Sequence, residues 1–335
     1  MTRFCAVLWL LSAMLGVFAI PATAHAELGS LLPLRTVTDI PLSGGTTRFD
    51  YESLDAQRRR LFVAHMGDDS VIVIDIDRRR VVGSVHQTRR VRGVLAVPAL
   101  GRVFVAAEAD GAVIAIDERT LHVLRRIPAG DVDGLAYDPK TKRLFVSDEA
   151  GEAVTVIDAV SFRRLGSIRI GGEAGNTVFD NAAGRIVTAN QSTNALVVID
   201  PSSQVIERRI PLAGCTQAHG VAIDSAGRRA FIACQGNAML VAVDLTSGLV
   251  LARQQLGAGP DVLALDESLH RLYVAAESGI LTVLDIAQPV PRVVARGLFA
   301  PNAHVVAVDP RDHTLFFPLP NMGGRPVLRI AAPRR

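Results

Sequence analysis

The sequence predicts an all-β fold, a seven-bladed β-propeller, from three features of the chain. An aliphatic run that closes on an aspartate recurs at intervals of 41 to 44 residues. A second hydrophobic run, usually with an aromatic residue, recurs in step with it. A strand-like segment also precedes the first copy, and none follows the last. Repeats of this length are small sheets that bury their faces only against the next repeat, so a radial array is expected.

The end of the aliphatic run marks each copy of the repeat. Six copies end in aspartate, and a seventh, degenerate copy has arginine in that place. The positions are Asp75, Asp117, Asp158, Asp200, Asp244, Asp285 and Arg329. One copy divides into four strands, at residues 134–138, 143–147, 154–158 and 166–170. Each segment has the length and β-branched content of a strand, and the connections are rich in turn-forming residues.

Both ends of the chain are predicted to close the ring. The last copy lacks a clear fourth strand, whereas residues 36–42 form a strand-like segment that belongs to no copy. Pairing these two parts would remove the exposed edges that an open array would leave. We therefore expect a single propeller over residues 27–335, with the N-terminal strand completing the last blade.

The first residues have the pattern of a secretory signal peptide. Arg3 precedes an apolar run at residues 4–20, and small residues at 22, 24 and 26 supply cleavage sites. We predict a signal peptide over residues 1–24, with cleavage after residue 24 or 26. Loss of Arg3 lowers the formal net charge from +3 to +2, which favours no particular partner. The mature chain is expected to be a periplasmic or secreted monomer without a membrane span.

Two arginine clusters in the first copy, residues 58–60 and 78–80, raise the question of nucleic-acid binding. Aromatic side chains are not interleaved with them, so base stacking has little support. We expect a solvated, partly paired face and no nucleic-acid partner.

Two cysteines remain after the signal peptide, which takes Cys5 with it. Cys215 precedes the inner strand of the fifth copy, and Cys234 ends its second strand. Antiparallel neighbours bring both to one face, and an even pair in an oxidising compartment forms a disulfide by default. We expect a Cys215–Cys234 bridge that braces the loop carrying His219.

The second strands also carry a family resemblance. Residues 145–148, Phe-Val-Ser-Asp, and residues 273–276, Tyr-Val-Ala-Ala, resemble the Tyr-Val-Thr-Asn repeat of the YVTN-type β-propellers. The Val-Ile-Asp closures are similar as well, and the resemblance covers nearly all of the mature chain. It implies a seven-bladed propeller, often exported. Related propellers carry electron-transfer cofactors, lactonase sites or only binding surfaces, so the resemblance implies no one chemistry.

One face of the ring is predicted to be structural, because its polar residues recur in nearly every blade. Arginine opens the second strand in six copies, at Arg60, Arg102, Arg143, Arg185, Arg229 and Arg271. Aspartate ends the first strand in six, at Asp55, Asp138, Asp180, Asp224, Asp266 and Asp309. A guanidinium suits bidentate pairing, so each arginine is expected to bridge the aspartates that end the first and third strands.

The opposite face carries the residues that break the repeat. The position just before each inner strand should ring one mouth of the central channel, and it holds Asp50, Arg92, Asp133, Gly175, His219, Asp261 and His304. All except Gly175 are candidate ligand-binding residues. A divalent metal could be held by His219, Asp261 and His304, since imidazole nitrogen and carboxylate oxygen suit zinc or a similar ion. No other cofactor is predicted, and the haem-attachment motif Cys-x-x-Cys-His does not occur.

The predicted function is binding or scaffolding, with a small polar ligand, a peptide or another envelope protein taken at this mouth. The alternative is a metal-assisted hydrolase or lactonase at the same mouth, with the His and Asp residues as general acid and base. A purely structural envelope protein is the third reading. No Gly-x-Ser-x-Gly elbow occurs, and the sequence favours a binding protein over an enzyme.

Overall fold

A computed structural model describes residues 32–334 of the chain. Seven four-stranded antiparallel sheets stand around a central channel, which confirms the predicted propeller. The predicted signal peptide, residues 1–24, lies outside the described residues. Within residues 32–334, no helix has the length and apolar character needed to cross a membrane.

The strands occupy four positions in each blade, counted outward from the channel. The innermost strands are β2 (Glu52–Asp55), β6 (Val91–Val97), β10 (Val132–Asp138), β14 (Ala174–Asp180), β18 (Ala218–Asp224), β22 (Pro260–Asp266) and β26 (Ala307–Val308). The second strands are β3 (Arg60–His65), β7 (Arg102–Ala107), β11 (Arg143–Asp148), β15 (Arg185–Asn190), β19 (Arg229–Cys234), β23 (Arg271–Ala276) and β27 (Leu315–Leu319).

The two outer positions complete each sheet. The third strands are β4 (Ser70–Asp75), β8 (Ala112–Asp117), β12 (Ala153–Asp158), β16 (Ala195–Asp200), β20 (Met239–Asp244), β24 (Ile280–Asp285) and β28 (Val327–Pro333). The outermost strands are β5 (Arg80–His86), β9 (Val123–Pro128), β13 (Arg164–Arg169), β17 (Val205–Pro211), β21 (Val250–Gln255), β25 (Arg292–Leu298) and, in the last blade, β1 (Leu34–Pro41). Short 3₁₀ turns lie at Met66–Asp68, Pro98–Leu100, Glu108–Asp110 and Gln235–Asn237.

The N-terminal strand closes the ring as predicted. β1 pairs antiparallel with β28, with Leu34 opposite Pro333 and Pro41 opposite Val327. Leu34 and Ile40 are buried, and each packs into a hydrophobic cluster that joins the last blade to a neighbour. The first described strand of the chain therefore completes the blade made by its last three.

The second and third strands form the hydrophobic cores. Their side chains are buried on both faces, because one face packs on the preceding blade and the other on the next. The recurrent aromatic residue of the second strand is fully buried at Phe62, Phe104, Phe145, Phe231 and Phe316. Burial of one such side chain contributes about 1.5–3 kcal/mol, so the blade-to-blade contacts are the main stabilising interactions of the ring.

The repeated aspartates hold turns. Asp138 accepts a hydrogen bond from the backbone N–H of Lys140 at 3.0 Å, and Asp75 accepts one from Arg78 at 2.8 Å. Asp158, Asp200 and Asp244 cap the turns after their own strands in the same way. Such side-chain bonds satisfy backbone N–H groups that the sheet leaves free, which explains the period of the aspartates.

The predicted arginine bridges are wrong, because no second-strand arginine among the described residues pairs with both aspartates of its blade. Arg60 donates to the carbonyl oxygen of Glu118 in the next blade, and Arg102 and Arg143 reach the equivalent turns at Ala159 and Pro201. The long side chain extends past its own sheet, so these arginines tie neighbouring blades together. Pairing with an aspartate of the same blade does occur elsewhere: Arg229 with Asp224, Arg271 with Asp285, and Arg185 with Asp200.

A buried carboxyl pair lies between the first two blades on this face. Glu118 is 1% exposed and Asp55 is fully buried, and Arg58 contacts both carboxyl groups at 3.1 Å. Burial, together with the hydrogen bond and the charge of Asp55, raises the pKa of Glu118 from 4.5 to about 8. Glu118 therefore holds a proton near neutral pH.

This pair predicts a loss of stability at alkaline pH that Glu118→Gln removes. Between pH 4.5 and about 8 the folded chain binds a proton that the unfolded chain releases, so the free energy of unfolding falls as pH rises through that window. The glutamine amide keeps a donor toward Asp55 and does not ionise. Thermal melts at pH 5 and pH 9 should show a smaller drop for Glu118→Gln than for the wild type. The exposed Glu267→Gln is the control, and an equal drop in all three proteins would contradict the assignment.

Candidate functional site

In five of the seven blades, a bulge at the start of the inner strand aims the residue at the mouth. In β10, Val132 pairs with Asp148 but Leu135 already pairs with Val146, so one extra residue lies between them. Strands β6, β14, β18 and β22 have the same shift at their first residues. A bulge bends the strand and re-aims side chains. Because of this extra residue, four side chains do not follow the regular alternation between the two faces of the sheet: Arg92, Asp133, His219 and Asp261.

Inner-strand glycines bring the mouth residues of successive blades close together. A Cβ on Gly93 would lie 2.2 Å from the carbonyl oxygen of Asp133, and one on Gly220 would lie 2.0 Å from that of Asp261. A Cβ on Gly175 would lie 3.0 Å from the carbonyl oxygen of Ala218 and from the Cα atom of His219, a looser approach. At Gly93 and Gly220 no larger residue fits without a shift of the backbone, so these glycines, each directly after a mouth residue, set how tightly the polar groups of neighbouring blades converge.

The mouth encloses a polar cavity of about 280 Å³. Five predicted site residues line it: Asp50, Arg92, Asp133, His219 and Asp261. The rim adds Arg48, Arg90, Glu149, Glu173, Gln191 and Gln235. Five lining carboxyl groups thus face three guanidinium groups, an excess of two acidic side chains over basic ones.

Three aspartates converge beneath the rim. Asp50, Asp133 and Asp261 are 6%, 2% and 2% exposed. Burial and the charges of Asp261 and Asp133 raise the pKa of Asp50 well above its ordinary range. Burial, with the charges of Glu277 and Asp133, raises the pKa of Asp261 to about 7, although Arg48 and Arg92 oppose the rise. The aspartates are close enough to repel one another, so the cavity has an affinity for positive charge.

Two arginines partly neutralise the aspartates from above. Arg48 pairs with Glu277 at 2.5 Å and reaches Asp261 Oδ2 at 3.6 Å. Arg92 pairs with Glu149 at 2.5 Å. Both guanidinium groups are held at the rim by these glutamates, so the oxygens that point to the floor are left uncovered.

His219 is the centre of the floor. Its Nε2 atom lies 3.5 Å from Asp261 Oδ1, 3.9 Å from Asp133 Oδ2 and 3.4 Å from the Tyr51 hydroxyl. Neither of those two carboxylate oxygens has a hydrogen-bond partner among the described residues. Groups from blades one, three, five and six therefore meet around one imidazole nitrogen.

The predicted metal set of His219, Asp261 and His304 does not form one group. His304 is 1% exposed, and its Nδ1 and Nε2 lie 3.0 and 3.1 Å from the carbonyl oxygens of Asn302 and Phe49. Both ring nitrogens thus face backbone acceptors, away from His219. Two other sets have ligand atoms within 4.8 Å of one another: Asp50 with Asp261 and His304, and Asp133 with Glu149 and His219.

Tyr51 separates the mouth from the channel below. Its hydroxyl donates to Asn176 Oδ1 at 2.8 Å, across the channel from blade one to blade four. Burial and the nearby aspartates raise the pKa of Tyr51 well above its ordinary value, so the hydroxyl stays a donor. The channel beneath holds a cavity of about 310 Å³ whose lining includes several Val and Leu side chains and one acid, Glu52. Burial raises the pKa of Glu52 well above its ordinary range.

The predicted disulfide is confirmed. Cys215 and Cys234 are joined, with their Cα atoms 5.3 Å apart. Cys234 pairs with Ala218 in the ladder between β18 and β19, so the bridge lies next to His219. The covalent link restrains the hairpin that carries the central imidazole.

Sequence reasoning missed several mouth residues, among them Arg48 and Tyr51. Arg48 lies before the aligned position, in the segment that leads into the short strand β2, so the repeat gives no register for it. Tyr51 directly follows Asp50, and only the folded ring shows that it crosses the channel. The glycines at 93, 134 and 220, each after a polar mouth residue, were a signal in the sequence for the close approach of the blades.

Comparison with known proteins bears on the fold alone. No family model matches this chain, and no curated protein matches it. Among solved structures, hydrazine synthase from Kuenenia stuttgartiensis is similar, with a TM-score of 0.72, over 84% of this chain and 94% of that one. At 15% identity the likeness extends to the propeller architecture and not to the site.

Proposed function

We propose that this propeller is a binding protein whose mouth takes a small polar ligand carrying a cationic group. The observation that carries the proposal is the pair of buried carboxylate oxygens without partners, Asp133 Oδ2 and Asp261 Oδ1, at the floor of the cavity. A buried carboxylate without a partner is costly, and a cationic group placed between the two would offset that cost. The rim glutamines and arginines offer hydrogen bonds to the rest of the ligand.

We also propose that the chain is a periplasmic or secreted member of the YVTN-type propellers and takes either a free ligand or an envelope partner at this mouth. The Cys215–Cys234 bridge supports an oxidising compartment. The blade architecture and its aromatic-Val second strands support the family assignment. Mass spectrometry of the N-terminus, on protein from separated cell fractions of the native host, would test the compartment. Recovery of the protein only in the cytoplasm, with residue 1 still present, would refute it.

Calorimetric titration with four probes of similar size tests the ligand class. Putrescine, glycine betaine, glucose and malonate differ in charge at comparable volume. We expect the two cationic-group probes to bind, and Asp133→Asn and Asp261→Asn each to weaken them by more than about tenfold, as for the loss of a buried charge partner. Glu267→Gln, an exposed carboxyl replaced on the opposite face, should bind as the wild type. Binding of glucose or malonate alone, or unchanged affinity in both aspartate variants, would refute the proposal.

A further inference from the structure

We infer that the floor of the mouth is a divalent metal site held by Asp133, His219 and Asp261. The inference rests on the proposed function and deepens it, because the cationic group at the floor would be a metal ion. The three residues come from blades three, five and six. One carboxylate oxygen of Asp133 and one of Asp261 each lie within 4 Å of His219 Nε2.

The distances fit ligands of one ion better than hydrogen bonds. His219 Nε2 lies 3.5 Å from Asp261 Oδ1 and 3.9 Å from Asp133 Oδ2. Both are longer than the ordinary range for a hydrogen bond between nitrogen and oxygen. Two ligands bound to zinc at about 2.0–2.2 Å in tetrahedral geometry lie about 3.4 Å apart. The imidazole nitrogen is therefore near ligand spacing from each of the two oxygens, and side-chain movements would have to bring all three atoms to about 2.0–2.2 Å from one ion.

The burial of the carboxylates points the same way. Asp133 and Asp261 are each 2% exposed, and the oxygen that each directs toward His219 has no hydrogen-bond partner among residues 32–334. Desolvated carboxylates are stable when they are paired or when they coordinate a metal. His219 is 9% exposed, so the imidazole is buried beside them.

The arginines at the rim leave these atoms free. Arg48 approaches the other oxygen of Asp261, Oδ2, at 3.6 Å while it pairs with Glu277. Arg92 pairs with Glu149. The inward-facing oxygens thus have no cation at contact distance, although the rim supplies two.

The donor set selects the class of metal. One imidazole nitrogen with carboxylate oxygens is typical of sites for zinc and similar first-row ions, whereas calcium and magnesium sites use oxygen alone. Glu149 has a carboxylate oxygen within 4.8 Å of the ligand atoms of Asp133 and His219, which offers a further oxygen on the cavity side. The alternative group with His304 is weaker, because both nitrogens of that ring face backbone carbonyl oxygens.

Calorimetric titration of the chelator-treated full chain with Zn²⁺ tests the site. We expect one equivalent to bind per chain, and His219→Gln and Asp133→Asn each to lower the affinity by more than about tenfold. His122→Gln removes an exposed imidazole and is the matched control. Co²⁺ bound to the same protein should show the visible absorption of a low-coordinate site, and His219→Gln should lose it. Circular dichroism of each variant checks that it is folded.

Three outcomes would overturn the inference. The first is that the wild type binds no Zn²⁺, and the second is that His219→Gln binds it as tightly as the wild type. The third is that the His122→Gln control loses as much Zn²⁺ affinity as His219→Gln. The two proposals fail separately. If the chelator-treated chain binds putrescine through Asp133 but takes no Zn²⁺, the metal inference is wrong and the proposed function stands. If Zn²⁺ binds through His219 and no cationic organic probe binds with or without it, the metal site stands and the ligand class is wrong.

Discussion

Removal of β1, residues 34–41, is expected to abolish the stable ring. The strand pairs along its whole length with β28 and buries Leu34 and Ile40 in clusters shared with neighbouring blades. Without it, β28 becomes an exposed edge and the last blade keeps three strands, one of them only two residues long. Because each blade is stabilised by its neighbours, damage to one interface weakens both adjoining blades.

Urea unfolding followed by circular dichroism measures this effect. We expect the deletion variant to lose the cooperative transition, and Ile40→Ala to lower the free energy of unfolding by about 2–5 kcal/mol, as for other buried aliphatic truncations. Thr36→Ala, at an exposed position of the same strand, is the control and should change it by less than about 0.5 kcal/mol. A deletion variant that unfolds cooperatively at the wild-type urea midpoint would show that β1 does not hold the ring.

Gly220→Ala is expected to have the second largest effect, on stability and on the mouth together. The new Cβ would lie 2.0 Å from the carbonyl oxygen of Asp261 and 2.7 Å from Leu263 Cδ1. The backbone of β22 must move to accept it, at a cost on the order of 3 kcal/mol. Because Asp261 moves with that backbone, the variant should also lose the spacing between Asp261 and His219.

Gly166→Ala is the matched control for this substitution. Gly166 lies in β13, and a Cβ there meets no atom within 4 Å. Its free energy of unfolding should stay within about 1 kcal/mol of the wild type, since only backbone entropy and strand propensity change. The pair is compared by urea unfolding and by calorimetry with the probe that the wild type binds. Equal destabilisation by both alanines would mean that the close approach of blades five and six is not what holds the mouth together.

The fold was predictable because each repeat carries the same physical requirement. A blade needs a buried aromatic or aliphatic second strand, an aliphatic third strand and a capped turn after it. These requirements recur in every blade, so the sequence shows a regular repeat. The closing strand was predictable for the same reason. The last blade has only three strands, and pairing the unassigned N-terminal strand with it leaves no open sheet edge. Asp158, for example, is conspicuous in sequence and caps a turn in the structure.

The site was predictable only in part, because it depends on contacts between blades. Alignment placed Asp133, His219 and Asp261 at one mouth, and the structure brings one oxygen of each aspartate within 4 Å of His219 Nε2. The same alignment grouped His304 with them, but its ring turns to the backbone carbonyl groups of Phe49 and Asn302. The position of a residue around the propeller follows from the register of the sequence repeat. The direction of its side chain depends on the strand bulge and on the neighbouring backbone. The arginine bridges failed for a similar reason, since Arg60 is long enough to reach the next blade.

The pairing of β1 with β28 also sets the order in which the chain can fold. Leu34 finds its partner at Pro333, so the last blade joins segments separated by nearly the whole length of the protein. Contacts of such high sequence separation form late, because the loop between them must be ordered before they stabilise anything. During synthesis from the N-terminus, β1 remains without a partner until almost every other residue has been added. Until then its apolar residues and free backbone edge are available to other chains, and the interval before closure is when the protein is most prone to aggregate.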